Sequence, residues 1–347
     1  MHKLQFTRSY SYYLNKYRIY VMFLALFLIA ALFAPNFFNP FNINAMIKAA
    51  NLYSMMAIGF SIVMICGHFD LSVQAVMNLG AVITLGLFAK SGVPWGLAIP
   101  IGVLCGIAVG VGNGYLVAKA KINSFIVTLG TMTITQGIIY LYCKSGSISV
   151  GSDYSFSDLI TTEVIPLFPP ITIITIIAVV VFAVIMFKTR FGRSVYMVGG
   201  NSETAWLAGI NRDRVYITSF VISGGLAALA GSLFAIGQGT AVPNMGEKGI
   251  SPLMITIASV IIGGVAMSGG KGDILRSYFA VLTMMVIFNM LSCFGTGYEA
   301  QVFAAGLVLA VIVLYESVSN YMQNKIKGIR LPLLSEVKTR RKARQFT

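Results

Sequence analysis

Charge is what this chain has least of. Only 10% of its 347 residues are Asp, Glu, Lys or Arg, where a soluble domain carries about a quarter. Acids are scarcer than bases, 11 against 25, which leaves a net charge of +14. Cysteine is also rare. Cys66, Cys105, Cys143 and Cys293 make no C-x-x-C pair, which argues against a metal cluster or a dithiol redox centre. Cys143 and Cys293 sit near span ends where a disulfide is conceivable, although small buried residues are the simpler reading. Nucleotide loops are missing too. Gly110-Val-Gly-Asn-Gly114 follows no soluble strand. In Gly263–Gly272, Val265 stands where a P-loop needs its first glycine and Gly272 where it needs Ser or Thr. No bound cofactor is expected of this chain.

Apolar residues fill the gap, at 57% of the chain with mean hydropathy +0.82. Runs able to cross a hydrocarbon core of about 30 Å recur throughout. Ten spans are expected: Ile19–Ala34, Ala49–Cys66, Val73–Ala89, Trp95–Ala118, Phe125–Cys143, Phe168–Phe187, Val215–Ile236, Leu253–Met267, Ile274–Leu291 and Gln301–Val318. The Leu253–Met267 run is short and contains Gly263-Gly264, so a broken or tilted span is expected there. The first span reads as an uncleaved anchor. With the N-terminus inside, only Lys48, Lys90, Lys144 and Lys248 of the 25 basic residues fall outside. The positive-inside rule therefore selects N-in and C-in. The fold class is an all-α polytopic membrane protein: a cytoplasmic segment 1–18, a permease domain 19–318 and a basic cytoplasmic tail 319–347. Ten spans with both ends inside divide into two five-helix halves of opposite orientation, a pattern that fits inverted repeats. The tail Lys338–Arg344 reads as an anchor on anionic lipid and not as a nucleic-acid patch. Tyr10, Tyr12, Tyr13, Tyr17 and Tyr20 form an aromatic belt at the first entry. The largest outward loop, Lys144–Pro166 with Asp153, Asp158 and Glu163, has no room for an ATPase or a receptor domain. Those functions would belong to other chains.

Between the sixth and seventh spans lies a polar, basic island, Lys188–Arg214. Within it, Gly199–Gly209 reads as a short helix. Asn201 or Ser202 would cap it, Glu203 would favour its dipole and Gly209 would end it in the left-handed region. So short a helix needs a surface to lie on. Ala205, Leu207, Ala208 and Trp206 offer one face, and lipid headgroups or a protein groove could receive it. A second pattern is the glycine at every fourth position, Gly102, Gly106, Gly110 and Gly114, which forms a packing seam on the fourth span.

The sequence GGN-x-E-x-A-x-x-AGI resembles the coupling-helix region of sugar-type ABC importer permeases, the ribose/galactose/xylose branch of binding-protein-dependent transport. Gly67-His68-Phe69-Asp70-Leu71-Ser72 resembles that family's Gly-Gly-Ile-Asp-Leu-Ser, departing at His68. Phe125–Met132 resembles its Phe-Ile-x-Thr-Leu-Gly-Thr-Met. Gly263–Ile274 resembles its late glycine-rich turn. The resemblance implies that Gly200, Asn201, Glu203, Thr204, Ala205, Leu207, Ala208, Gly209 and Ile210 dock on a cytoplasmic ATPase subunit that holds ATP and Mg²⁺. It also implies a second permease copy or paralogue, a periplasmic or lipid-anchored sugar-binding protein, membrane lipid around the spans and a place in the bacterial inner membrane.

Inside the spans the polar groups are almost all neutral: Asn51, Asn78, Asn113, Gln136, Tyr140, Asn289 and Gln301. Acids are limited to Asp70 and the terminal Glu316. Asn51, Asp70, Asn78, Gln136 and Asn289 are the pathway candidates. Each also has a structural reading, as a bond between helices or, at Asp70, as capping of Val73–Ala89 by Asp70 or Ser72. The expected function is passage of a neutral sugar or sugar-like solute, driven by a separate ATPase, without covalent chemistry on this chain. An ion-coupled carrier or channel is the alternative, and it would need ionisable groups at mid-membrane.

Overall fold

A backbone that meets lipid must satisfy its own hydrogen bonds, and this chain does so with helices. A computed structural model describes residues 2–144, 146–151, 158, 160–162, 169–245, 251–297, 299–304, 306, 307, 310 and 314, with side chains from Tyr17 onward. The belt residues Tyr10, Tyr12 and Tyr13 and the acids Asp153, Glu163 and Glu316 therefore lie outside the described side chains, as do Lys248 and the tail 338–344. The chain divides into two units, Met1–Val302 and Phe303–Thr347. In the second, the described positions from Phe303 to Leu314 are helical.

The first unit runs α1 (His2–Phe33), α2 (Pro40–Ile65), α3 (Val73–Ser91), α4 (Trp95–Ala118), α5 (Ser124–Cys143), β1 (Ile148–Ser149), α6 (Pro170–Lys188), α7 (Arg190–Gly200), α8 (Ser202–Leu207), α9 (Arg212–Gln238), β2 (Thr240–Ala241), α10 (Pro252–Ile262) and α11 (Ile274–Cys293). Among the described residues, seven helices are long and apolar enough to cross a membrane: α2, α3, α4, α5, α6, α9 and α11. Tyr17–Phe33 and α10 are shorter apolar helices. The expected span Gln301–Val318 falls partly outside the described residues.

Helix ends follow local chemistry. Pro40 opens α2 behind Asn39, whose side chain accepts from Phe41 N. The span therefore begins nine residues before the expected Ala49, and Lys48 lies inside a helix and not in a loop. Asn123, Asn211 and Asp273 cap α5, α9 and α11 in the same way. Gly92 and Gly239 end α3 and α9 with left-handed backbone. The two short strands pair antiparallel, Ile148 opposite Ala241, and tie the connection after α5 to the one after α9.

Helix α10 has 11 residues, a length of about 16 Å, or roughly half a bilayer core. It stops at Gly263-Gly264, with Gly264 left-handed at φ 86°, as the short apolar run ahead of two glycines anticipates.

Helices α2, α3 and α9 form the interior, with 72%, 67% and 67% of their apolar windows buried, against 22% for α4 and 28% for α5 and α6. Helix α9 is the centre, and its neighbours reach it backbone to backbone. A Cβ on Gly59 of α2 would fall 2.7 Å from Ser223 Cα, one on Gly80 of α3 2.6 Å from Ala228 Cα, and one on Gly114 of α4 2.7 Å from Ile217 Cα. The other three glycines of the α4 seam press the same way: Gly102 on Thr84 and Ser232, Gly106 on Gly224 and Ala228, Gly110 on Phe220 and Val221. The seam thus packs on α9, with Thr84 of α3 at its upper end. All four cysteines are free.

Replacing Gly106 or Gly110 with Leu inserts four carbons where backbone already touches backbone, costing about 3 kcal/mol or more of overpacking strain. Detergent-extracted variant protein should melt lower and elute as aggregate in size-exclusion chromatography. A folded, active Leu variant would show that this face is free.

Candidate functional site

Between α6 and α9 the chain forms α7 and α8, with Lys188, Arg190, Arg193, Arg212 and Arg214 on or beside them, and Lys119 and Lys121 after α4 meet Asp213 and Arg212 there. Asn201 caps α8, its Oδ1 accepting from Glu203 N and Thr204 N at 3.0 Å each. Gly209 takes φ 80° and Ile210 N returns to Ala205 O, which closes the helix. Leu207 is 78% exposed and Trp206 61% exposed, while Ala205 is only 1% exposed. The expected docking face is therefore divided. Ala205 packs into its own chain and is unavailable to a partner. Gly200, Asn201, Glu203, Thr204, Leu207, Ala208 and Gly209 are on the surface, with Ile210 half-buried. Arg212 lies 5.9 Å from the Trp206 ring centroid, within range of a cation–π contact. A groove of about 400 Å³ lies alongside, lined by Lys121, Trp206, Gly209, Ile210, Asn211, Arg212 and Asp213. Lys119 pairs with Asp213 at 2.7 Å across its edge.

At the end of α7, two glycine turns, at Gly67 and at Gly269-Gly270, meet Gly199. Gly270 N donates to Ile65 O at 2.8 Å. A Cβ on Gly199 would fall 2.8 Å from Gly270 N, and one on Gly269 2.7 Å from Gly199 O and 2.8 Å from Gly67 Cα. Gly67, Gly269 and Gly270 all have positive φ, so close approach and left-handed backbone both require glycine here. Tyr196 of α7 donates its hydroxyl to Gly272 O at 3.0 Å. Burial, with the Asp273 carboxylate adding, pushes this phenol up to about 12, so it remains a donor. Direct backbone contact thus joins the end of α7 to the end of α2 and to the connection between α10 and α11.

A second junction lies about 16 Å along α9 from Arg212. Asp70, 2% exposed, accepts from Ser72 N at 3.1 Å and from Ser72 Oγ at 2.5 Å on one oxygen, and from Ser223 Oγ at 2.7 Å on the other. Asn113 Nδ2 donates to Ser72 Oγ at 2.9 Å, and Thr131 Oγ1 donates to Asn113 Oδ1 at 2.7 Å. Thr128 Oγ1 and Ser124 Oγ accept from Leu71 N and Phe69 N. The capping expectation is corrected. Ser72 occupies the cap position of α3, yet no side chain caps that helix. Asp70 instead links the turn before α3 to α9. The stretches Gly67–Ser72 and Phe125–Met132 form one hydrogen-bonded unit. The neighbouring His68 stands edge-on to Tyr216, with centroids 4.4 Å apart.

Of the other pathway candidates, Asn51 is buried and donates to Thr172 on α6 at 2.8 Å, a bond between helices. Asn78 is fully buried, and its amide makes no hydrogen bond among the described residues. Gln136 and Asn289 line separate cavities. The first, about 500 Å³, is lined by Gln74, Ala75, Met132, Thr133, Gln136, Gly137, Tyr140, Asn244 and Met245. The second, about 410 Å³, lies among α2, α9, α10 and α11 and includes Tyr53, Met245, Asn289, Ser292 and Gln301. Met245 borders both. Gln74, absent from the sequence-derived set, fixes this region. Its Nε2 donates to Met245 O at 3.1 Å, and its Oε1 accepts from Ser251 Oγ at 2.6 Å and Leu253 N at 3.1 Å. A lone amide in the first turn of an apolar helix was the available signal.

A helical bundle with two uncharged cavities and an exposed capped helix at its basic end defines a membrane permease subunit. The chain belongs to the family described as branched-chain amino acid transport system / permease component, whose model matches residues 42–315. It is 33% identical over 299 residues to the ribose import permease protein RbsC of Bacillus subtilis (strain 168), covering 85% of this chain and 91% of that protein. It is 31% identical over 304 residues to the L-arabinose transport system permease protein AraH of Escherichia coli (strain K12), covering 87% and 90%. It is 30% identical over 315 residues to the autoinducer 2 import system permease protein LsrC of Yersinia enterocolitica, covering 90% and 86%. No solved structure matches. The chain is thus a multi-pass membrane protein of a transport family, not an enzyme.

Asp70→Asn keeps an acceptor toward Ser72 and supplies an amide that can donate to Ser223 Oγ, so it should melt near the unaltered protein. Asp70→Leu strands the hydroxyls of Ser72 and Ser223 and should lose on the order of 3 kcal/mol. Thermal melting of the two purified variants side by side measures the difference.

Proposed function

We propose that this chain is the inner-membrane permease subunit of a sugar-type ABC importer, moving a neutral sugar or sugar-like solute. The observation that carries the reading is the lining of the two cavities. No Asp, Glu, Lys, Arg or His is among their lining residues. A free amino acid carries two charges that would need partners there. Hydroxyls need only amides, hydroxyls and aromatic faces. The printed substrates of the relatives, ribose, L-arabinose and autoinducer 2, support the same class.

In this reading the basic end is cytoplasmic, the chain crosses ten times with N-in and C-in, and the two five-helix halves run in opposite orientation. A second permease copy or paralogue completes the pathway. An external sugar-binding protein delivers the solute, and a cytoplasmic ATPase with ATP and Mg²⁺ receives the surface residues of Gly200–Ile210. Leu207 and Trp206 are the apolar anchors, and Arg212 with Lys121 adds charge to the groove beside them. ATPase closure displaces α8. The glycine junction at Gly67, Gly199 and Gly270 passes that displacement to α2 and α10, and so to the walls of the second cavity.

Leu207→Asp should leave expression and melting unchanged while abolishing both ATPase co-purification and solute uptake. Ala205→Asp places a carboxylate among the chain's own buried groups and should lower melting as well. Uptake should persist when the proton gradient is collapsed at constant ATP. Collapse of uptake with the gradient, or full uptake by Leu207→Asp, overturns the reading.

A further inference from the structure

Helix α5 is among the least enclosed helices, yet its open side is not uniformly apolar. Ile134, Ile138 and Leu141 are 66%, 52% and 82% exposed and suit hydrocarbon. Thr133, Gln136, Gly137 and Tyr140, at helical spacings of three, four and seven, form an adjacent stripe of different character. All four line the 500 Å³ cavity, facing Gln74 and Asn244. Thr133 Oγ1 turns back to Leu129 O and Gln136 Nε2 to Pro243 O, so these polar groups line the cavity without a desolvation cost.

The amides of the cavity are held in place. The Gln74 carboxamide is fixed from three directions by Met245, Ser251 and Leu253. Gln136 Nε2 donates to Pro243 O at 2.6 Å. Amides already immobilised present directional polar atoms with little further ordering cost on binding. Ala75, Met132 and Met245 supply apolar wall. A cavity of this volume accommodates a monosaccharide.

We propose that this cavity is the solute-recognition chamber of the permease, taking a neutral, hydroxyl-rich molecule of monosaccharide size, with Thr133, Gln136, Gly137 and Tyr140 as its α5 wall. The class of solute rests on the sugar-import reading above; the existence of a water-filled chamber does not. Gly137 marks the chamber's open side, because a Cβ there meets nothing within 4 Å. A larger side chain can enter the space without displacing backbone.

The test uses the full transporter, co-expressed with its ATPase and binding protein. Thr133→Cys and Ile134→Cys, neighbours at the same depth, are exposed to a charged, membrane-impermeant maleimide and compared with the unaltered chain and its native cysteines. Thr133→Cys should label several-fold faster than Ile134→Cys. Equal labelling, or none at residue 133, overturns the chamber. Uptake of radiolabelled D-ribose and L-arabinose is measured for Gly137→Leu. It should fall to background with melting and ATPase co-purification unchanged. Normal uptake by Gly137→Leu overturns the assignment of the pathway to this cavity. If the unaltered transporter moves neither these two nor any other neutral monosaccharide of a panel, the sugar class is overturned, and the labelling result still decides the chamber.

Discussion

Contact of backbone on backbone around α9 is the constraint on which the molecule depends. Helices that touch through large side chains stand 8–10 Å apart. Where one helix offers glycine the backbones approach until Cα and carbonyl come within contact, as Gly59, Gly80 and Gly114 do against Ser223, Ala228 and Ile217. In lipid, where the hydrophobic effect gives helices little reason to associate, such contact is a main source of cohesion. It also makes α9 an axle. The same helix carries Ser223, which holds Asp70, and begins just after the exposed α8. The scaffold and the buried polar junction therefore share one element, with the exposed α8 a few residues ahead of it.

The second organising feature is the economy of charge. Among the described residues, ion pairs occur only at the basic end, Lys119 with Asp213 and Arg276 with Asp273. Deeper in the bundle, Asp70 has three hydrogen bonds and no countercharge. Interior polarity is otherwise carried by amides and hydroxyls used as struts: Asn51 to Thr172, Ser61 to Ser277, Thr84 to Ser232. The same chemistry that holds the helices together without charge lines the cavities.

Much of this was legible in the residues. The Asn201 cap and the Gly209 stop follow from local backbone chemistry, which depends on neighbours only a few positions away. The glycine spacing of α4 announced a seam, and the Gly263-Gly264 pair a broken span. What failed depended on distant partners. The six residues of α8 are too few for periodicity to tell which side meets the parent chain, so Ala205 read as docking surface although it is buried. Asp70 read as a cap because Asp-Leu-Ser fits one. Its bond to Ser223, 153 positions away, has no local trace. The start of α2 is a different case. Asn39-Pro40 is a strong opening signal, but the polar Asn42, Asn44 and Lys48 drew the expected boundary inward to Ala49.

The half-length helix α10 has a consequence for how the protein is made. Eleven residues, Thr256 and Ser259 among them, fall short of the roughly 20 that a membrane-spanning helix requires, so this helix cannot cross the bilayer by itself. It packs on α2, made earlier, and on α11, made later, so its surroundings are complete only once α11 follows. Until that moment the amide of Gln74, already in the membrane on α3, waits for Ser251 and Leu253. The last third of the chain thus completes a site whose first half was laid down much earlier in translation.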